Sequence, residues 1–428
     1  MSMKQWERAI GVGLGILGFV VGQSSASSSV GGTSGGTILS IPVGARAIAM
    51  GEAYTAMADD VSSLYWNPAG IAILNQSEAS FMYSQWLKDL TYHNASVATP
   101  LENGGIGASV SYLSYGQIDG FDSHGTPSGS IKAYSTVATL GGGILGDLWS
   151  AGFNVKGIQG QLADVKATGF GADFGASLIY PREVLGGTLR GAATLRNIGP
   201  GLKYIDQSDP LPREWRVGVA AVQILNQKLN LSMDYGQERD MDGSIYMGAE
   251  YWVLPMIALR AGYADSHSES SGLRAGMGLK IKDLAFNYAF SPYGDLGLTH
   301  RYELSMKFGA VRPTLTPEMR RMLRQAKVAM AQGRFGEATM LLDSLITMAP
   351  NYKPFHKLIK VAMGGYEGQE RSAKNHKTLD LSALSGRRPV KEDKYEMDEL
   401  ESLLNMSDQA ALAKGNLQPA SNGGGKKQ

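Results

Sequence analysis

A set of isolated charges stands on segments that are otherwise apolar or small: Asp173, Arg190, Arg196, Asp234, Glu250, Arg260, Arg274 and Lys280. On one shared wall they would do electrostatic work. They either pair with one another and stiffen an interior, or line a polar route or headgroup site for an amphipathic anion. Covalent chemistry has less in its favour. None of the six histidines has a second histidine at i+3 or i+4, so no helix face offers a metal two imidazoles. Gly32-Thr33-Ser34-Gly35-Gly36 spells a nucleophile elbow, but no strand precedes it and no helix follows. Gly141-x-Gly143-x-x-Gly146 spells a dinucleotide fingerprint, but it lies between two strand-like segments and reads as a turn. No catalytic residue, metal site or cofactor is expected, and the chain reads as a non-enzyme.

The elements that carry the isolated charges alternate with period two. Leu229, Leu231, Met233 and Tyr235 alternate with Asn230, Ser232 and Asp234. Phe170, Ala172, Phe174, Ala176 and Leu178 alternate with Gly171, Asp173, Gly175 and Ser177. Leu273 to Ile281 and Tyr302 to Phe308 follow the same rule. Such strands have one apolar face and one face of small residues with occasional charges. The polar face of a soluble sandwich is usually denser in charge; a membrane barrel turns its apolar face to lipid and its polar face to the lumen.

Strand-like segments fall near 78–87, 91–99, 104–115, 131–143, 149–160, 168–180, 187–198, 213–225, 228–236, 244–253, 257–264, 272–281, 283–291 and 300–308. That is about fourteen, an even number of suitable length. Tight links at Asn226-Gln227 and Lys282-Asp283 alternate with longer polar ones, such as Gly116 to Ser130 and Gly199 to Pro212, which would be extracellular loops. Aromatics near strand ends, among them Trp86, Tyr112, Tyr115, Tyr235, Tyr251, Tyr263 and Tyr302, suit an interfacial girdle.

Ahead of the strands lies Pro42 to Ala72, PVGARAIAMGEAYTAMADDVSSLYWNPAGIA. Its Ala/Met-rich start fits a short helical turn broken at Gly51. Asp59 and Asp60 form turns or caps. Asn67 precedes Pro68 and is pushed out of the helical region, and Gly70 permits a further bend. A compact, irregular, mostly apolar segment needs its backbone groups satisfied by something around it. A surrounding barrel would do that, with Arg46, Asp59 and Asp60 joining the wall charges and Trp66, Asn67 and Pro68 fixing the segment's shape. Gly44-Ala45-Arg46-Ala47, Met50-Gly51, Ala58-Asp59-Asp60 and Tyr65-Trp66-Asn67-Pro68-Ala69-Gly70 together resemble the N-terminal signature of PorV/PorQ-like outer-membrane proteins, which are similar to the FadL-type long-chain fatty-acid transporters. The resemblance covers the chain to about Val311 and implies an all-β fold: a barrel of about fourteen antiparallel transmembrane strands with an N-terminal plug, or hatch.

The remaining composition fits this reading. Lys4 and Arg8, the apolar run Ala9 to Gly22 and the small residues Ser24-Ser25-Ala26 read as a signal peptide, 1–26. A Ser/Gly-rich linker, 27–41, and the plug, 42–76, would precede the barrel, 77–311. The chain has no cysteine, and its formal net charge of +1 offers no electrostatic case for nucleic acid. After Arg312-Pro313, residues 312–365 read as a helical hairpin resembling one tetratricopeptide unit, with its turn at Gly333-Arg334-Phe335 and a further helix from Tyr352 to Met363. Residues 366–428 are mostly polar and read as disordered, apart from a short amphipathic helix at Met397 to Ala413.

The expected location is the outer membrane of a Gram-negative-type bacterium, in contact with its lipid, with the C-terminal extension in the periplasm. Two functions stay open. One is a FadL-like conduit passing or binding hydrophobic or amphipathic small molecules. The other is a PorV-like component of type IX protein secretion, docking a periplasmic or secretion-system protein through residues 319–363.

Overall fold

The computed structural model describes residues 34–121, 124–205, 208–265, 272–312, 315–350 and 352–382. The chain divides into two units, Met1–Gly309 and Ala310–Gln428.

In the first unit fourteen strands close into a barrel. They are β1 (Ser77–Gln85), β2 (Thr91–Leu101), β3 (Gly104–Ser114), β4 (Ala133–Leu145), β5 (Trp149–Leu162), β6 (Val165–Val184), β7 (Gly187–Ile198), β8 (Glu214–Gln223), β9 (Leu229–Glu238), β10 (Ser244–Leu254), β11 (Ile257–Ala264), β12 (Leu273–Ile281), β13 (Leu284–Pro292) and β14 (Leu298–Phe308). Each pairs antiparallel with its sequence neighbours, and β14 returns to β1 with Phe308 opposite Ser77 and His300 opposite Gln85. All the segments expected from alternation are strands. A closed ring has no edge, so neighbours satisfy the backbone groups of every strand, as a sheet in lipid requires.

The longest links gather at one end, although the two-residue turn Ala163-Asp164 lies there too. The other end has short turns such as Glu102-Asn103, Leu185-Gly186, Pro255-Met256 and Lys282-Asp283. The chain enters β1 and leaves β14 at this end, where Gln76 donates to the Gly309 carbonyl at 3.2 Å. The opposite end has the long loops. One folds into the ribbon Ile118–Phe121 with Pro127–Ile131, and another into the ribbon Leu202–Lys203 with Ser208–Asp209. The tight turn expected at Asn226-Gln227 is wider. Gln223, Leu225, Asn226 and Gln227 all have positive φ, and Asn230 holds the run by accepting from Gln223 N at 2.6 Å.

The two faces of the wall differ as the alternation demands. Leu140 (68% exposed), Phe170 (64%), Leu178, Val219, Met233, Leu259, Met277 and Leu304 point outward. Asn154, Asp173, Asp234, Glu250, Arg260 and Glu303 point inward and are buried. An apolar exterior of this extent costs about 25 cal/mol per Å² in water and is stable against lipid. Tyr112, Tyr235, Tyr251, Tyr263 and Tyr302 lie on this exterior. Trp86 and Tyr115, expected beside them, turn the other way: Trp86 packs on Arg301 and Tyr293, and Tyr115 joins the internal apolar cluster.

The second unit is three helices, α3 (Pro317–Ala331), α4 (Phe335–Met348) and α5 (Lys353–Ser382). Two shorter helices, α1 (Ala45–Ala49) and α2 (Ser63–Trp66), lie inside the barrel. Thr316 caps α3 by accepting from Met319 N at 3.2 Å, and Pro317 occupies its first turn. Leu323, Ala326, Ala338, Leu342, Leu345, Phe355 and Ala362 form the shared core. The expected hairpin is present, but α5 runs past Met363 to Ser382, so residues 366–382, expected to be disordered, are helical. Gly364-Gly365 reads as a stop by propensity. Packing overrides it, because Gly365 lies against the Phe335 ring where a side chain would not fit. The signal peptide, residues 27–33 of the linker and the helix expected at Met397 to Ala413 lie outside the described residues.

Candidate functional site

The segment from Gly35 to Leu74 lies inside the ring of strands. It comprises a 3-10 turn (Thr37–Ser40), α1 (Ala45–Ala49), α2 (Ser63–Trp66) and a second 3-10 turn (Pro68–Ile73). Its apolar residues Ala45, Ile48, Met50, Met57, Trp66 and Ile71 are fully or almost fully buried. The packed segment also starts before Pro42, because Ile38 and Leu39 are buried too. The linker boundary expected at residue 41 therefore falls inside it.

Its local structure follows from a few residues. Gly51 has φ +63 and ends α1 with the wall backbone at Met247 and Tyr263 pressed against it, so no other residue fits there. Asp60 accepts from the backbone N–H of Ser62 at 3.0 Å and from its hydroxyl, fixing the turn into α2. Asn67 is extended (φ −160°, ψ 104°), as the residue before Pro68 should be. Its side chain accepts from Ala69 N at 3.0 Å and donates to the Thr55 carbonyl at 2.8 Å and to Ser177 of β6 at 3.0 Å. Trp66 donates from Nε1 to the Val43 carbonyl at 2.7 Å and packs edge-on against Tyr65. Gly70 lies against the Ala58 carbonyl. These residues set the segment's shape.

The wall accommodates the segment at glycines. Gly152 and Gly175 receive Asn67, Pro68 and Ala69; Gly248, Gly262 and Gly276 receive Ala49, Met50 and Gly51. Gly141 and Gly143, from the apparent dinucleotide fingerprint, belong to this inner surface rather than to a turn: they lie in β4 and face Leu64, Pro68 and Ala72. Gly105 and Gly107 of β3 likewise take inward positions, which weakens the alternation of that strand.

Charged contacts surround the segment. Glu250 takes a bidentate pair from Arg46, both bonds 2.9 Å, and a third bond from Arg260 at 2.7 Å. Arg46 Nη1 also donates to Asp59 at 2.7 Å, to Asp60 at 3.1 Å and to the Tyr54 hydroxyl at 2.8 Å. Arg190 of β7 reaches Asp59 at 3.7 Å. Asp234 accepts from the backbone N–H groups of Tyr54 and Thr55 at 2.9 and 2.8 Å. Arg196 donates to the Tyr65 carbonyl at 3.1 Å, lies over the Tyr65 ring and pairs with Glu214. Asp173 is held within the wall by Lys156 at 2.8 Å and Asn154 at 3.1 Å. Arg274 lies 3.9 Å from Glu52 and over the Tyr293 ring. Lys280 departs from the expected set: it lies near the short-turn end and is exposed.

Four further participants were readable by parity but not singled out from sequence: Lys156, Glu214, Arg216 and Glu303. Arg216 donates to the Glu52 carbonyl at 2.8 Å, and Glu303 accepts from Ala45 N at 3.1 Å.

Protonation on the segment follows these contacts. Burial works against the Asp60 carboxylate, but the Arg46 charge and the bonds from Ser62 and Tyr54 outweigh it and hold the pKa below the ordinary aspartate value. Burial pushes the Tyr54 hydroxyl well above its usual range, against the opposing pull of Arg46.

The β2–β4 wall behaves differently. Its polar side chains bond to one another: Tyr92 donates to Ser111 at 3.0 Å, Asn94 to Ser111 at 2.9 Å and Ser96 to Asn94 at 2.8 Å. Between this wall and the segment lies a cavity of about 20 Å³, room for roughly one water. Leu39, Val43 and Leu64 give it an apolar side, and Ser96, Ser109, Ser111 and Thr139 a hydroxyl side.

The sequence profile of an uncharacterised protein family, UPF0164, matches residues 20–170. A "UPF0164 protein" of Treponema pallidum (strain Nichols) is 39% identical over 70 residues, and the match spans 16% of each chain. Among solved structures, the Ralstonia pickettii toluene transporter TbuX is similar with a TM-score of 0.45 at 14% identity, over 62% of this chain and 98% of that one. The CymD monoaromatic hydrocarbon channel gives a TM-score of 0.46 at 12% identity, over 63% and 98%. A FadL homologue of Pseudomonas aeruginosa gives 0.36 at 12% identity, over 62% and 96%.

Proposed function

We propose that this protein is an outer-membrane channel for hydrophobic or amphipathic small molecules, and that the segment inside its barrel is a plug. One observation carries the reading. Hydrogen bonds and ion pairs tie the segment to β5 through β10 and to β14, and glycines seat it on β11 and β12, whereas on β2–β4 it packs against Gly105, Gly141 and Gly143 beside a small cavity lined by hydroxyls and Lys156. Lifting Leu64, Pro68 and Ala72 from the β4 glycines would enlarge that cavity while the Arg46–Glu250 pair holds the other side. The resulting seam has one apolar and one hydroxyl side, which suits a small molecule with both kinds of surface.

The test is flux. Vesicles holding the purified protein are expected to take up a small fluorescent amphiphile faster than empty vesicles, with no gain for a sugar of equal size. Equal gains for both would make the protein an unselective pore, and no gain for either would reject the channel reading.

A docking role in protein secretion rests on a different observation, the separate three-helix unit with Met340, Met348 and Tyr366 exposed on it. Cross-linking in cells that captures one protein through the full chain, and loses it on removal of 310–428, would favour this second reading.

A further inference from the structure

The start of the plug is held at the end of the barrel opposite to where β1 begins. Gly35 N donates to the Pro210 carbonyl at 2.8 Å. The Ser40 hydroxyl donates to Glu238 Oε1 at 3.1 Å. Ile38 and Leu39 share an apolar cluster with Leu202, Leu211 and Tyr204. Pro210 and Leu211 precede β8 and Glu238 ends β9, so all these partners lie at the long-loop end. Gln76, where the segment passes into β1, is bonded at the short-turn end.

The fit at the long-loop end is close. Gly35 lies against Asp209 with no space for a side chain, and Gly36, with φ +68, lies against Leu202 in a backbone conformation that favours glycine. These glycines read as flexible linker from composition, but the structure uses them for close approach.

We propose that the plug is a captive strap threaded through the lumen from mouth to mouth, with its start at Ser34 held at the long-loop mouth, on the outer face of the membrane. It is tied at both ends, by the clasp around Gly35 to Ser40 and by its covalent continuation into β1. It therefore cannot swing out on a hinge at β1, and solute passes while both ties hold. The side on which Ser34 is held follows from the bonds above; the passage of solute past a captive strap rests on the channel reading.

The chain contains no cysteine, so single cysteines can be placed cleanly. Three variants are compared in intact cells with a membrane-impermeant maleimide: Ser34→Cys, Gly125→Cys in an exposed long loop, and Lys282→Cys in a short turn. Ser34→Cys and Gly125→Cys are expected to label, and Lys282→Cys only after permeabilisation. Labelling at Gly125→Cys with protection at Ser34→Cys overturns the threading. Labelling at Lys282→Cys alone, with the other two protected, keeps the threading but inverts the barrel.

A second experiment asks whether the strap stays captive. Ser40→Cys with Glu238→Cys, bridged by a short bis-methanethiosulfonate linker, is expected to leave vesicle uptake within about twofold of the unbridged protein. Uptake lost on bridging and recovered on reduction would show that the clasp must open, and would overturn captivity. If the wild-type protein moves no solute, the channel reading fails, and the labelling pattern still decides the threading.

Discussion

Arg46 is the residue on which the interior depends most. It neutralises Glu250, Asp59 and Asp60 at once, at distances from 2.7 to 3.1 Å. Arg46→Met should leave three buried or half-buried carboxylates facing each other, with only Arg260 and Arg190 in reach. Removing one member of a buried ion pair typically costs about 3–5 kcal/mol. The expected result is a barrel that still inserts, with a lower heat-denaturation temperature and a measurable leak of small ions in planar bilayers. Wild-type values for both would show that the hub does not hold the plug. The same cluster sets a pH dependence. Asp60 is held below its ordinary pKa, so its contribution is full above the unfolded value of about 3.9 and is lost as pH falls through the folded value. The stability difference between the wild type and Asp60→Asn should therefore be constant above about pH 5 and shrink as pH falls below about pH 4; a difference unchanged at low pH would contradict the assignment.

At the scale of elements, glycine positions decide what fits where. Gly262 receives the backbone of Met50 and Gly51. Gly262→Val keeps the outward face of β11 intact and favours a strand by propensity, yet its inward side chain collides with the plug. Conductance should rise while the folded barrel keeps its heat-resistant mobility on a gel; an unchanged closed state would mean that the plug does not rest there. In the helical unit, Gly365→Ala should improve helix propensity by about 1 kcal/mol in isolation. Packed against Phe335 it has no space, so the net effect should be destabilising, seen as faster limited proteolysis of α5 in the full chain. Slower proteolysis would show that the contact is loose.

At the scale of the molecule, the exposed apolar wall and closed ring make lipid the expected solvent. Cell fractionation should place the chain in the outer membrane, and recovery in a soluble fraction would end the channel reading. The two units have separate cores, so removing 310–428 should leave barrel insertion at its full level, checked by the same gel mobility. Loss of insertion would show that the barrel needs the helices.

Alternation in the later strands pointed to a barrel, because a strand between lipid and a polar lumen must change character at every residue, and the count of about fourteen agreed with the number the resemblance implies. Where the lumen is lined by glycine, as along β3 and β4, that contrast fades and the boundaries become harder to read. The Asn67-Pro68 break and the turn at Asp60 were also legible, since they depend on neighbours in sequence. Tertiary structure alone decided what meets across the barrel: Arg46 with Glu250, Asp234 with the backbone of Tyr54 and Thr55, and Gly35 with Pro210. Those partners lie far apart in the chain and are joined only by the closure of the ring. The role of a glycine was equally hidden, because a flexible linker and a tight contact require the same missing side chain.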